Sequence, residues 1–267
     1  MAVTTELVAQ VIEKIAPKAW AEDWDNVGLI VGSGATPIER ILITLDGTLE
    51  VVEEAKAFGA QLIVAHHPII FQPLKNLRAD NAAAQVPLRL LQHRIGYYVA
   101  HTNLDKSTFS SSRALGEVLE LKKMKILEEP GYGVSGYLPK PEMLGDVWTR
   151  FLGCLRQPGV YAHPYDLTGV RLAGSLEKVV RKVAIVNGSG ARFVQNALFK
   201  GVDLLITGDV DHHAVLDALE GGMAVGDLGH FLSEAPMLQA MHHYLATDKS
   251  LQGIQIQVSS INRSPWL

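Results

Sequence analysis

Two segments of this chain repeat one architecture without a gap. ILITLDGTLEVVEEAKAFGAQLIV (41–64) lies over VAIVNGSGARFVQNALFKGVDLLI (183–206) at an offset of 142 residues, as from Gly59 to Gly201. Each copy reads as an apolar strand, a glycine-bearing turn, a helix, a glycine and a second buried strand. Identities are few, among them Ile43/Ile185, Val52/Val194 and Leu62/Leu204, so what repeats is the architecture. A period this long means two similar lobes, because solenoid repeats recur every ~20–50 residues. Alternating strands and helices predict parallel sheets with right-handed crossovers.

The first copy runs on in the same rhythm. Its second strand, Leu62–Ala65, has four apolar residues in a row and stops at His66-His67-Pro68, where proline removes a ladder donor and turns the chain. A helix from about Val86 to His93 leads to a strand Gly96–Ala100, which ends in HTNLD (101–105). Upstream, Leu7, Val8, Val11, Ile12 and Ile15 share one helical face, with Thr4 or Thr5 as N-cap and Pro17 as terminator. Residues 122–180 break the rhythm and read as a connector with short antiparallel strands and a helix near Met143–Leu155. The second copy ends in Gly208-Asp209, followed by a helix from about His212, a strand Met223–Leu228, GHFLSE (229–234), a helix and an alternating final strand GIQIQVSSI. The expected fold is α/β: two related lobes with mainly parallel sheets, 1–122 for the first, 123–267 for connector and second.

Composition narrows the function. The chain is 48% hydrophobic and 19% charged, enough apolar material for full cores. A net charge of −4 without a basic run argues against a nucleic-acid or acidic-membrane partner. No apolar run approaches the ~18–20 residues that span a bilayer. Glu6 and Glu13 interrupt the N-terminal apolar pattern, which is therefore read as neither signal nor transit peptide. The single cysteine, Cys154, excludes an intramolecular disulfide and a cysteine zinc site, and the expected compartment is the cytoplasm.

Three strand ends carry metal-type side chains: His66-His67, His101 with Asp105, and His230 with Glu234. Open α/β sheets bind ligands at the carboxyl ends of their strands. His230 and Glu234 stand four apart, on one helical face; alternatively Ser233 is an N-cap and Glu234 lies in the first turn, where the helix dipole favours its ionised form. Nitrogen and hard oxygen donors without thiolate suit Zn, Mn, Fe, Co or Ni. So many donors fit two ions ~3.5–4 Å apart better than one. His212, His213 and Asp209 are available for second contacts to a substrate. His242 and His243 suit a helix C-terminus, and His93 and His163 are read as structural. VNGSGARF is a glycine turn able to receive an anion. Trp20 and Trp24 are expected as core or interface anchors.

DNVGL (25–29), LIVAHHP (62–68), HTNLD (101–105), NGSG (187–190), ITGD (206–209) and GHFLSE (229–234) resemble, in order, the motifs of the NGG-interacting-factor-three-like family, also called GTP cyclohydrolase 1 type 2 homologues. The resemblance covers nearly the whole chain and fits the short form of the family, without the inserted domain that some members carry. It implies two related α/β lobes, a toroidal homohexamer, and a dinuclear metal site between the lobes. The implied ligands fall on His66, His67, Asp105, His230 and Glu234, with two divalent ions per chain.

The leading functional expectation is a metal-dependent hydrolase acting on a small molecule, with GTP-like substrates included and His101 as proton shuttle. The alternative is a non-enzymatic metal-binding toroid that holds a protein partner. Threading of a polynucleotide through the ring is disfavoured by the negative charge.

Overall fold

The structure, a computed structural model, describes residues 2–266. The chain divides into two compact units: residues up to Ser107 together with Ala240–Asn262, and Thr108–Gln239 with the residues from Arg263 on. This partition differs from the expected division at residue 122. Ala240–Asn262 returns to the first unit, because its strand adds beside one of the earliest.

The first unit is built on strands β1 (Gly28–Val31), β2 (Arg40–Thr44), β3 (Leu62–Ala65) and β4 (Gly96–Val99), with the last strand of the chain, β11 (Gln255–Val258). Their order is β1-β4-β3-β2-β11. All neighbours are parallel except β1, which runs antiparallel to β4. β3 and β4 are buried at every position, as expected where helices cover both faces of a parallel sheet. The covering helices include Thr5–Glu13 and Leu49–Phe58. Thr4 caps the first by accepting from Leu7 N at 3.3 Å, and Thr48 caps the second by accepting from Val51 N at 3.2 Å. Gly59 ends the second helix in the left-handed region at φ 75°, a conformation that costs glycine little. Leu42, Val52, Ile63, Leu90 and Tyr97 meet in the core of this unit.

The second unit carries β5 (Lys122–Glu128), β6 (Tyr132–Met143), β7 (Arg171–Ala173), β8 (Val179–Ser189), β9 (Leu204–Gly208) and β10 (Ala224–Asp227). Their order is β5-β6-β8-β9-β10-β7, with β8, β9 and β10 parallel and the flanking strands antiparallel. Residues 122–180 are therefore not a connector. They supply three of the six strands of the second sheet and the helix Leu144–Leu155, so the short antiparallel strands read from sequence belong to the lobe itself.

The internal repeat is visible in the strand register. Ile41 pairs with Leu62 and Ile43 with Val64 in one sheet, and Val183 with Leu204 and Ile185 with Ile206 in the other. Each pair maps onto its counterpart at the same 142-residue offset that aligns the sequences. The intervening helices differ. Position 48 is a capping threonine, whereas its counterpart Gly190 offers no side chain. The second copy accordingly opens with a 3₁₀ turn, Ala191–Phe193, before the short helix Val194–Phe199. Among the described residues no helix is long and apolar enough to cross a membrane.

Ile63 and Leu205 occupy equivalent positions and are both fully buried. Ile63→Ala and Leu205→Ala should each cost about 2–5 kcal/mol in urea unfolding. Amide hydrogen exchange should show each loss of protection concentrated in the unit that carries the substitution.

Candidate metal centre

Parallel pairing of β2, β3 and β4 brings three carboxyl ends to one edge of the first sheet, and each releases a polar side chain there. Beyond β2 comes Asp46, beyond β3 His66 and His67, and beyond β4 His101. One ligand atom from each of His66, His67 and His101 lies within 4.8 Å of the others. Their rings are neighbours: His66 and His67 stand 4.9 Å apart between centroids, and His66 and His101 also 4.9 Å. The strand alternation that would send His66 and His67 apart is broken here, because β3 ends at Ala65 and Pro68 turns the chain. Asp105 belongs to the same set, its Oδ1 lying 3.7 Å from His66 Nε2.

Each of these histidines is held by its Nδ1. His66 Nδ1–H donates to the Ala100 carbonyl at 2.8 Å, that of His67 to Asp46 Oδ1 at 2.8 Å, and that of His101 to Asp25 Oδ1 at 2.9 Å. A neutral imidazole with its proton on Nδ1 carries its lone pair on Nε2, the arrangement that metal-binding histidines share. His66 Nε2 and Asp105 Oδ1 face one another as a nitrogen and a hard oxygen donor, a combination that fits a divalent ion.

The acceptors are themselves fixed. Asp46 sits at the start of the turn before helix Leu49–Phe58, where Asn262 reaches it from the far end of the chain. Asn262 Oδ1 accepts from Leu45 N at 2.8 Å and Asp46 N at 3.3 Å, while its Nδ2 donates to Asp46 Oδ2 at 3.2 Å. Tyr97 adds a hydrogen bond from its hydroxyl to the His67 carbonyl at 2.9 Å, and burial pushes its phenol pKa well up. Asp25 accepts from Thr102 N at 3.1 Å and Thr102 Oγ1 at 2.5 Å. Burial alone would raise its pKa, but hydrogen bonds from His101 and Thr102, with the charge of His101, outweigh burial and hold it at about 2. Asn103, fully buried, closes the HTNLD turn by accepting from His101 N at 2.9 Å and donating to Ala16 O at 2.7 Å.

The second unit carries the other donor pair. GHFLSE forms the helical turn His230–Glu234, so the helical-face alternative holds and Ser233 is not an N-cap. His230 Nε2 faces Glu234 Oε2 at 3.3 Å, and its Nδ1–H donates to Asp209 Oδ2 at 2.8 Å. Glu234 is buried. The space for its carboxylate comes from Gly188, which adopts φ +65° and whose Cβ would lie 2.5 Å from Glu234 Oε1. The glycine turn that read as an anion receiver thus houses a carboxyl group that the protein itself supplies.

His212 and His213 pack against each other at 5.4 Å between centroids and are exposed at a helix start capped by Asp211. His242 and His243 lie in the helix Pro236–Thr247. Asp209 is engaged with His230. Trp20 and Trp24 are 46% and 56% exposed, so neither is a core residue. Asp25, Asp46 and Asn262 escaped the sequence reading. A carboxylate directly after a buried strand, as in LDG, is the one local signal for Asp46, and Asp25 stands in the DNVGL motif.

Fold and site together define a class: a two-unit α/β protein presenting histidine and carboxylate groups able to bind metal at the carboxyl ends of its strands. The chain matches Duf34/NIF3 (NGG1p interacting factor 3) over residues 3–265 and belongs to that family. It is 36% identical over 231 residues to a Clostridium perfringens protein called GTP cyclohydrolase 1 type 2 homolog, covering 86% of this chain and 87% of that one. A Clostridium acetobutylicum protein of the same name is 31% identical, covering 100% of this chain and 99% of the relative. Among solved structures, a Bacillus cereus protein related to NIF3 shares the fold with a TM-score of 0.88 at 23% identity, over 100% of this chain and 99% of that chain.

Two outcomes are expected. Asn262→Ala, which frees Asp46 and through it His67, should weaken Co²⁺ binding about 10- to 100-fold by titration, with the far-ultraviolet spectrum unchanged. Asp25 stabilises the metal-free fold fully above its ordinary pKa of 3.8, and that contribution is lost as pH falls through about 2. The stability gap between wild type and Asp25→Asn should therefore be wide at pH 5 and narrow by pH 2.5 in urea unfolding.

Proposed function

We propose that the chain is a hydrolase dependent on two divalent ions, held by His66, His67 and Asp105 from the first unit and by His230 and Glu234 from the second. The observation that carries this reading is the anchoring of all four site histidines through Nδ1, which fixes each ring and makes Nε2 the nitrogen that would coordinate or accept a proton. The five proposed ligands offer nitrogen and hard oxygen without thiolate, a donor set that suits Zn, Mn, Fe, Co or Ni. When bound, such ions supply Lewis acidity and a water acidic enough to act as a nucleophile near neutral pH.

His101 has the build of a general base. Its Nδ1–H is held by an aspartate that stays ionised at neutral pH, which fixes the tautomer and makes Nε2 the proton acceptor. We assign it the proton shuttle and leave coordination to its neighbours. The name of the relatives directs attention to purine nucleoside triphosphates, and phosphoesters and cyclic amides belong to the same electrophile class. A closed homo-oligomer, six chains in the family resemblance, completes the proposal.

Elemental analysis of purified protein should give two ions per chain for wild type and a loss in His67→Ala and Glu234→Ala. Full occupancy in both variants would remove these residues from the centre. His101→Ala should keep its metal while turnover of the active substrate falls ~10²–10⁴-fold. Loss of metal in that variant would instead make His101 a ligand. If the metal-replete wild type hydrolyses no nucleoside triphosphate, phosphoester or cyclic amide, the protein-holding toroid becomes the better reading.

A further inference from the structure

Beside the histidine cluster the first unit holds an aromatic wall in water. Trp24 is 56% exposed and Phe71 is 50% exposed, and their ring centroids lie 5.6 Å apart. Trp24 also meets His101 edge to face at 6.2 Å. The series Phe71, Trp24, His101 is thus continuous, leading from solvent to the candidate metal donors.

The exposure is imposed by the backbone on either side. Asp25, next to Trp24, is fixed by His101 and Thr102. Asn26 Nδ2 donates to Ile70 O at 2.6 Å, tying the Trp24 loop to the residue before Phe71. Farther back, Glu22 N donates to Thr102 Oγ1 at 3.0 Å and Lys106 Nζ to Trp20 O at 2.8 Å. Two loops that could fold their large rings inward are pinned so that the rings stay out. Indole and phenyl faces held rigid in water recognise flat π-systems with little ordering cost.

We propose that Trp24 and Phe71 form a stacking platform for a planar heteroaromatic ring, whose oxygen substituents reach the ions of the adjoining centre. The position of the wall against His101 selects a small molecule over a second copy of the chain, since an occupant stacked on Trp24 lies beside the histidine cluster. The inference rests on the hydrolase reading for the second half of the contact and on the aromatic geometry for the first.

The test separates the two halves. Calorimetry on zinc-loaded protein would compare GTP, ATP and UTP with inorganic triphosphate, which shares their metal-binding oxygens and lacks a ring. Base–aromatic stacking should make at least one nucleotide bind about 5- to 100-fold tighter than triphosphate. Trp24→Leu and Phe71→Leu should each cut that preference while leaving triphosphate affinity and zinc content unchanged, and Trp20→Leu should leave it intact. Equal affinity of all three nucleotides and triphosphate for wild type would overturn the platform, as would a preference that survives in the Trp24→Leu/Phe71→Leu double variant. A drop in mass by light scattering in that double variant, with the preference intact, would assign the wall to an interface between chains. On metal-free protein, guanosine should quench tryptophan fluorescence in wild type and not in Trp24→Leu. Should zinc fail to bind, this arm still decides the platform, and unquenched wild type would overturn it.

Discussion

The level pairing of three short parallel strands is the constraint from which the site follows. β2, β3 and β4 are four or five residues long, and β3 and β4 are buried at each position. A slip of one residue would exchange the faces of each strand and drive polar termini into the core. Register is therefore fixed by burial, and with it the height at which Asp46, the His66-His67 pair and His101 leave the sheet. No feature of the histidines themselves is needed to bring them together.

What the strands cannot set is which way a ring faces. That is left to hydrogen bonds on Nδ1, and the acceptors come from distant parts of the chain: Asp25 before the first strand, Asp46 after the second, Ala100 after the fourth. His230 is treated the same way by Asp209 in the other unit. Asp209 follows the strand that corresponds to β3, so the second copy spends on an orienting carboxylate the position at which the first copy carries a histidine. The repeat has kept its backbone and divided its chemistry.

Much of this could be read before the structure. The 142-residue offset is the strand register, and Thr48 and Gly59 bound a helix at the residues their chemistry dictates. The donor types at three strand ends were also plain, because a histidine after an apolar run is a local pattern. The rest was not local. The hairpin and helix of 122–180 were legible, but not their place in the second sheet, because β5 and β7 lie at its edges and lack the continuous apolar signal of buried strands. The return of β11 to the first sheet depends on a pairing of Gln255 with Arg40 that no short-range pattern announces. Asn262 could not be found at all, since its role is to satisfy backbone groups more than two hundred residues away.

That last contact has a consequence for folding. The hydrogen bond from Asn262 to Asp46 spans 216 residues, and contacts of such separation pay loop-closure entropy before they are rewarded. The strands that place His67, β2, β3 and β4, pair over much shorter separations. The position of the imidazole and the steadying of the carboxylate that orients it are thereby acquired in separate steps, the nearer contacts first.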